Sequence, residues 1–338
     1  MIPLRIAITG ATGFLGGAAA RRFLRQGHQV LAHGRDPRAL ERLAKCGAAT
    51  VGADLGAASA EDFIDGCRRF GPEAVVHAAA KSAPFGRRKD FESSNVRGTE
   101  NVLKAVREAG ARRLVHISTP SLYCEGEPLE FVREDHPLPS PSINHYAATK
   151  RIGEELVRRA GDQVGAIILR PRALFGPGDT ALFPRLLRAL EDRRLPVIGN
   201  GKNHIDLTYI DNATQAIELA LFAGEGATGR TFNITGGEPV QLWPLIARLC
   251  AELGLQAPTR TVKRGAARAA ALMAESLHRT FRRAGEPRLT RYSVDSLSLD
   301  ATLDISAARS VLGYDPEVTM EEGIQRFIAH ERAARGQR

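Results

Sequence analysis

Leu4-Arg5-Ile6-Ala7-Ile8-Thr9-Gly10-Ala11-Thr12-Gly13-Phe14-Leu15-Gly16 decides the fold. A short apolar run ends in threonine and passes at once into glycines three residues apart. The run reads as a strand, and Gly16–Gln26 behind it has the spacing of a helix. Glycine at 10, 13 and 16 permits a tight turn. It also lets a pyrophosphate approach the first turn of the helix, whose free N–H groups and dipole favour an anion. GxxGxxG alone is weak, because glycine turns also arise from packing. Its place directly after the first strand points to a dinucleotide, with Thr12, Phe14 and Leu15 of the same loop as further cofactor contacts.

Outward from this stretch the pattern repeats. Strands are expected at Leu4–Thr9, Gln29–His33, Ala48–Gly52, Ala74–His77, Arg113–Ser118 and Gly165–Arg170, rich in Val, Ile and Leu without alternation. That content suits strands covered on both faces. Between them, helices are expected at Gly16–Gln26, Pro37–Lys45, Ser94–Ala109 and His145–Ala160, the second capped by Asp36 with Pro37 at its first position. The expectation is an α/β fold: a Rossmann-type doubly wound parallel sheet with a smaller mixed C-terminal substrate lobe. Residues 1–170 form the dinucleotide-binding domain. Two strands, Ile205–Ile210 and Arg230–Thr235, rejoin it around a helix from Asp211 to Ala223, and 171–204 with 236–338 form the lobe.

Composition narrows the class. The 338 residues are 43% hydrophobic and 25% charged, ordinary for a globular enzyme. No apolar stretch approaches the ~18 residues of a membrane span, and Met1-Ile2-Pro3 leads straight into the first strand, so a cytoplasmic protein is expected. Cys46, Cys67, Cys124 and Cys250 lack CxxC spacing and read as reduced thiols, with no metal site expected. The net charge of +9 raises nucleic acid as a partner. The positive charge is mostly arginine spread along the chain, without a basic tail or aromatic interleaving, so no specific nucleic-acid partner is expected.

The tip of the second strand normally reports the cofactor: a carboxylate for the ribose hydroxyl of NAD, an arginine for the 2′-phosphate of NADP. Here it reads His33-Gly34-Arg35, with Asp36 committed to capping, so Arg35, with Arg38, favours NADP(H) over NAD(H). Asp54 and Leu55, past the third strand, are placed at the adenine edge. Ala78 and Ala79, after the fourth strand, are small enough for the cofactor to cross the sheet edge, and His77 reads as a packed strand residue.

Tyr146 and Lys150, four apart, share one helix face. A free phenol titrates near ~10, too high for a base at neutrality. An ammonium beside it favours phenolate and brings Tyr146 toward working pH. Ser118 or Thr119 would hold the substrate oxygen as alkoxide-like charge develops. With five tyrosines and seven lysines, about 0.1 YxxxK pairs arise by chance, so the pair counts through its company.

The chain resembles an extended short-chain dehydrogenase/reductase over nearly its whole length. The glycine signature, HAAA at 77–80, Asn95-Val96-x-Gly98-Thr99, STPSLY at 118–123, YAATK at 146–150 and RPxxxFGPGD at 170–179 follow that family in order. The resemblance implies Thr119 as catalytic hydroxyl with Ser118 beside it. It also implies that Lys150 contacts the nicotinamide ribose, that Pro171 and Ala173 lie along the nicotinamide, and that Asn95 braces a helix. A homodimer is likewise expected from the resemblance.

Within the family, Asp206-x-Thr208-Tyr209-x-Asp211-Asn212 and Pro287-x-Leu289-Thr290-Arg291-Tyr292 resemble the 3β-hydroxysteroid dehydrogenase and β-keto-acid reductase branch. Ile205 stands where sugar-nucleotide enzymes commonly carry arginine. The expected activity is NAD(P)-dependent interconversion of a secondary alcohol and a ketone on a hydrophobic, sterol-like or long-chain β-keto acyl, substrate. A nucleotide-sugar epimerase or dehydratase with retained cofactor is the alternative, and a cofactor-sensing regulator without chemistry is a third reading. From 266 to 283, Ala270, Met273, Ala274, Leu277 and Phe281 form an apolar stripe among Arg264, Arg268, Arg279, Arg282 and Arg283. The stripe either packs against the lobe or acts as a lid in peripheral membrane contact.

Overall fold

The computed structural model describes residues 3–281 and 285–336. Seven strands form one parallel sheet: β1 (Arg5–Thr9), β2 (Gln29–Gly34), β3 (Ala49–Gly52), β4 (Ala74–His77), β5 (Arg113–Ile117), β6 (Ala166–Pro171) and β7 (Thr231–Ile234). Their order is β7-β6-β5-β4-β1-β2-β3. The winding reverses between β1 and β4, which opens a crevice at the carboxyl ends of those strands.

Both faces of the sheet are covered, as the apolar strands require. Ile6 and Ile8 of β1 join one buried cluster with Phe23 and Ala216, under the helices Phe14–Arg25 and Ile210–Phe222. Ala7, pointing the other way, joins a second with Phe63, Val102 and Val157, under Glu61–Phe70, Gly98–Ala109 and His145–Ala160. Asp36 caps its helix as expected, accepting from the Arg38 and Ala39 backbone N–H groups with Pro37 next.

Two departures concern the lobe. Of the strands expected to rejoin the sheet, only the second does, as β7 beside β6. The stretch 205–210 is broken instead: His204–Ile205 enters a separate sheet, and Thr208–Tyr209 pairs with Leu174–Phe175. Asp206 at the break accepts from the Leu303 N–H, which commits the segment to the lobe. The separate sheet is mixed, with strands Val240–Gln241, His204–Ile205, Ala301–Leu303 and Leu129–Val132. Leu129–Val132 lies inside the range assigned to the dinucleotide domain, yet its Leu129 and Val132 bury with Leu303 and Tyr123. Sequence position alone does not divide the two units.

The apolar stripe lies on a helix, Arg264–Thr280, but not on its buried face. Ala267, Ala271 and Glu275 turn inward, while Met273 is 64% exposed, Leu277 50% and Phe281 64%. Packing of the stripe against the lobe is therefore overturned. Glu275 anchors the helix by accepting from the Arg291 N–H at 2.8 Å. Arg282 and Arg283 lie outside the described residues. No helix among the described residues is long and apolar enough to cross a membrane.

Candidate active site

The glycine turn is close-packed. Gly10 has φ +69°, and a Cβ there would meet the Ala79 backbone at 2.8 Å; one on Gly16 would meet the Gly10 carbonyl at 2.3 Å. Gly13 caps the first helix without a side chain, leaving its first N–H groups toward the crevice. Thr12 fills the space where Gly34 lacks a side chain, so the turn also presses on the tip of β2. Phe14 packs partly buried on the core and Leu15 within it. This cradle, which a Cβ would fill, fits the pyrophosphate of a dinucleotide.

At the tip of β2, Arg35 and Arg38 are exposed and, among the described residues, form no ion pair. Asp54 turns back to accept from the Gly56 N–H, and Leu55 is buried against Gly98 with its carbonyl bonded to Asn101. The Leu55 side chain belongs to the core, leaving only backbone there for an adenine. Ala78 and Ala79 lie beside Gly10, and the Ala79 N–H donates to Thr9 Oγ1. His77 is a packed strand residue as expected, between Thr9 and Thr99 hydroxyls at 2.8 and 3.1 Å. Pro171 ends β6 at the crest of the sheet and Ala173 follows it, with φ +44°. A left-handed non-glycine residue is strained, and such residues gather at functional sites.

The helix His145–Ala160, which carries Tyr146 and Lys150, starts at Asn144, whose side chain accepts from the Ala147 N–H at 2.8 Å. Asn95 braces it, accepting from the Lys81 N–H at 2.7 Å and donating to Thr149 at 3.0 Å. Asn95 sits in a widened turn, Glu92–Arg97, a distortion that recurs at functional sites.

Thr119 and Ser118 alternate in direction. Thr119 lies beside the Tyr146 phenol and donates to the Ser121 hydroxyl at 3.1 Å. Ser118 instead lies beside the buried Glu154 carboxylate on the underside, without a hydrogen bond of ordinary geometry. The structure thus brings Thr119, not Ser118, to Tyr146.

The expected acidification of Tyr146 by Lys150 is absent in this arrangement. Burial raises the phenol above its ordinary value, and the contacts that offset this come from Thr119 and Ser82. Lys150 turns to donate to the Ile117 carbonyl at 2.6 Å and lies 3.3 Å from His116 Nε2. Burial lowers Lys150 to about 8, opposed by the Glu154 charge. His116 is held neutral by burial and by Lys150, so its ring nitrogen can accept from that ammonium.

Sequence reasoning missed the support beneath these groups. Glu154, one turn beyond Lys150, takes Arg170 in two bonds, Nε at 2.8 Å and a terminal nitrogen at 2.7 Å. Arg170 also donates to Tyr123, whose hydroxyl bonds Asn233 at 3.0 Å. A charged residue in the apolar run of β6 was the available signal. Tyr292, quoted only within a motif, reaches Ser121 at 2.9 Å. It lines a cavity of about 330 Å³ bounded by Phe85, Ile143, His145 and Arg279, beside the catalytic helix.

The profile of the NAD dependent epimerase/dehydratase family matches residues 6–235. The chain belongs to that family. A 2-alkyl-3-oxoalkanoate reductase of Stenotrophomonas maltophilia is 35% identical over 336 residues, 98% of this chain and 100% of that protein. A 3beta-hydroxysteroid-dehydrogenase/decarboxylase of Arabidopsis thaliana is 34% identical over 76% of this chain and 62% of its own length. The UDP-glucuronic acid 4-epimerase of Bacillus cereus, solved with NAD, superposes with a TM-score of 0.74 over 98% of this chain and 99% of its own at 22% identity, a likeness of fold. This member of the epimerase/dehydratase family is an NAD(P)-dependent oxidoreductase acting on CH–OH groups.

Glu154→Gln leaves the Arg170 guanidinium buried and unmatched, and should cost about 3–5 kcal/mol in denaturant unfolding. Because Glu154 raises Lys150, its loss should also move the alkaline fall in kcat/KM for ketone reduction below its expected position near pH 8. An unchanged midpoint of unfolding would remove the ion pair from the account.

Proposed function

We propose that this protein reduces a ketone to a secondary alcohol, and reverses that reaction, on a hydrophobic substrate that is sterol-like or a long-chain β-keto acyl compound. The observation that carries the reading is the contact of the Tyr146 phenol with Thr119 at the rim of the glycine-built cradle. When bound, the reduced cofactor supplies a hydride to the carbonyl carbon. Tyr146 donates the proton to the carbonyl oxygen, and Thr119 hydrogen-bonds that oxygen as its charge grows. Lys150 moves from the Ile117 carbonyl to hold the ribose, and its ammonium then lies near enough to return the phenolate toward the neutral range. Relatives named as 3-oxoalkanoate and 3β-hydroxysteroid enzymes support the substrate class.

The cofactor is NADP(H) in preference to NAD(H), because Arg35 and Arg38 stand exposed where a 2′-phosphate would lie and Asp36 is occupied by its capping bonds. The hydrophobic substrate enters past the helix Arg264–Thr280, whose exposed Met273 and Leu277 rest against a lipid surface. His278 of that helix meets the Phe85 ring edge to face and Arg279 lies over it at the cavity wall, which suits a lid. Arg264 and Arg268 share Asp295, and Arg279 pairs with Glu275, so apolar contact outweighs charge in that docking.

Tyr146→Phe should abolish turnover, at least ~1000-fold, while NADPH affinity by fluorescence titration stays within about threefold; retained turnover refutes the proton role. Arg35→Ala should raise the KM for NADPH roughly tenfold or more and leave that for NADH nearly unchanged. Equal changes remove the NADP assignment. Met273→Ser with Leu277→Ser should reduce sedimentation with phosphatidylcholine vesicles, whereas failure of the native protein to sediment with them at all overturns the lipid contact.

A further inference from the structure

Arg172 is 8% exposed, and its Nε is buried without a hydrogen-bond partner. Among the described residues no carboxylate comes within 4.0 Å of its guanidinium. Arg170, two residues earlier, shows the ordinary solution to a buried guanidinium: it is met in two bonds by Glu154. Arg172 stands one residue past the end of β6, its N–H still bonded to the Ile234 carbonyl, just before the strained Ala173. Its charge is felt by Cys124 and by the Tyr292 phenol. Tyr292 is two hydrogen bonds from Thr119, through Ser121 at 2.9 and 3.1 Å.

Asp206 senses Arg172 from a distance. Its carboxylate accepts from the Leu303 N–H at 2.7 Å, and burial pushes its carboxyl up to about 6. The fold therefore keeps a guanidinium without a carboxylate partner, its Nε buried and unbonded, in the surroundings of Cys124 and of the Tyr292 phenol that leads through Ser121 to Thr119. Burying an unpaired charge is costly, and an anionic group of a ligand offsets that cost in the bound state.

We infer that Arg172 reads a carboxylate on the substrate, two bonds from the reacting carbon, and so selects free 3-oxo and 3-hydroxy acids over their esters or neutral ketones. The inference rests on the proposed function and deepens it. Arg172 binds the carboxylate as a bidentate partner, as guanidinium does, while Thr119 and Tyr146 hold the oxygen at carbon 3. Arg172 is a specificity-determining residue, and it takes no part in moving the proton.

The test uses 3-hydroxytetradecanoic acid and its methyl ester with NADP+, chosen because 3-hydroxy acids do not decarboxylate, and a neutral 3β-hydroxysteroid as third substrate. The native protein should oxidise the acid with a kcat/KM at least about tenfold above the ester. Arg172→Met should lower kcat/KM for the acid about 100-fold and change the ester within about threefold, with Arg172→Lys recovering part of the loss. Equal loss on acid and ester, or no loss on either, overturns the assignment. Should Arg172→Met fail to fold, the native preference decides: an ester turned over as well as the acid, or the steroid alone turned over, overturns it. Oxidation of none of the three substrates removes the proposed function itself.

Discussion

The two bonds between Glu154 and Arg170 hold the helix His145–Ala160 to the sheet, and the rest of the candidate site is arranged around them. Glu154 projects from the helix that carries Tyr146 and Lys150; Arg170 projects from β6, whose end carries Pro171 and Ala173. The pair also reaches Tyr123, which binds Asn233 of β7, so three elements of the sheet's carboxyl edge are tied to one helix. A buried ion pair contributes little net stability compared with an apolar contact of the same volume. What it supplies here is a single register: sliding the helix by one residue would strand both charges, whereas an apolar pair would tolerate the slip. Positions within fractions of an ångström matter for proton transfer, and directional bonds set them better than oily contacts do.

The fold was legible because its signals are local. Leu4 to Gly16 contains a strand, a turn and a helix start in thirteen residues, and Asp36-Pro37 marks the next helix from its own chemistry. The helix Glu61–Phe70 was not foreseen: Ala60 gives it no side-chain cap and Gly66 lies in its middle, so nothing nearby announces it. The lobe was less legible for a physical reason. Strands of two residues, such as His204–Ile205 and Val240–Gln241, are too short for any period to show. They pair with each other across some 35 residues, and Ile205 pairs also with Ala301, almost a hundred residues on. The exposure of Met273 and Leu277 was beyond the reach of sequence too, since an apolar stripe looks the same whether it faces a core or a solvent.

The same division holds inside the site. Tyr146, Lys150 and the glycines were readable because spacing along one element sets their geometry. Tyr292 and Arg172 were not, because they meet Ser121 and Cys124 only through tertiary folding. Ser118 and Thr119 lay between these cases. Adjacent residues in extended backbone must point opposite ways, so one hydroxyl had to face the crevice and the other the interior. Which was which depended on where Glu154 lay, one turn past Lys150 on a different element.

The electrostatics of Tyr146 and Lys150 show why neither acts alone. Burial works against the charged form of each, raising the phenol and lowering the ammonium, so the two titrations are drawn toward each other. With Lys150 turned to the Ile117 carbonyl, the proton stays on the phenol, the state a reductase needs at the start of ketone reduction. In the proposed reaction, loss of that proton to the substrate oxygen would leave a half-buried phenolate, which an approaching cation would relieve. Lys150 is the nearest titratable group on the same helix face. It is kept ionised by Glu154, and its present bond to a neutral carbonyl is far weaker than one to an anion. The proposed reaction would thus create the charge that draws Lys150 across, and the buried Glu154 carboxylate below raises the lysine so that it can respond.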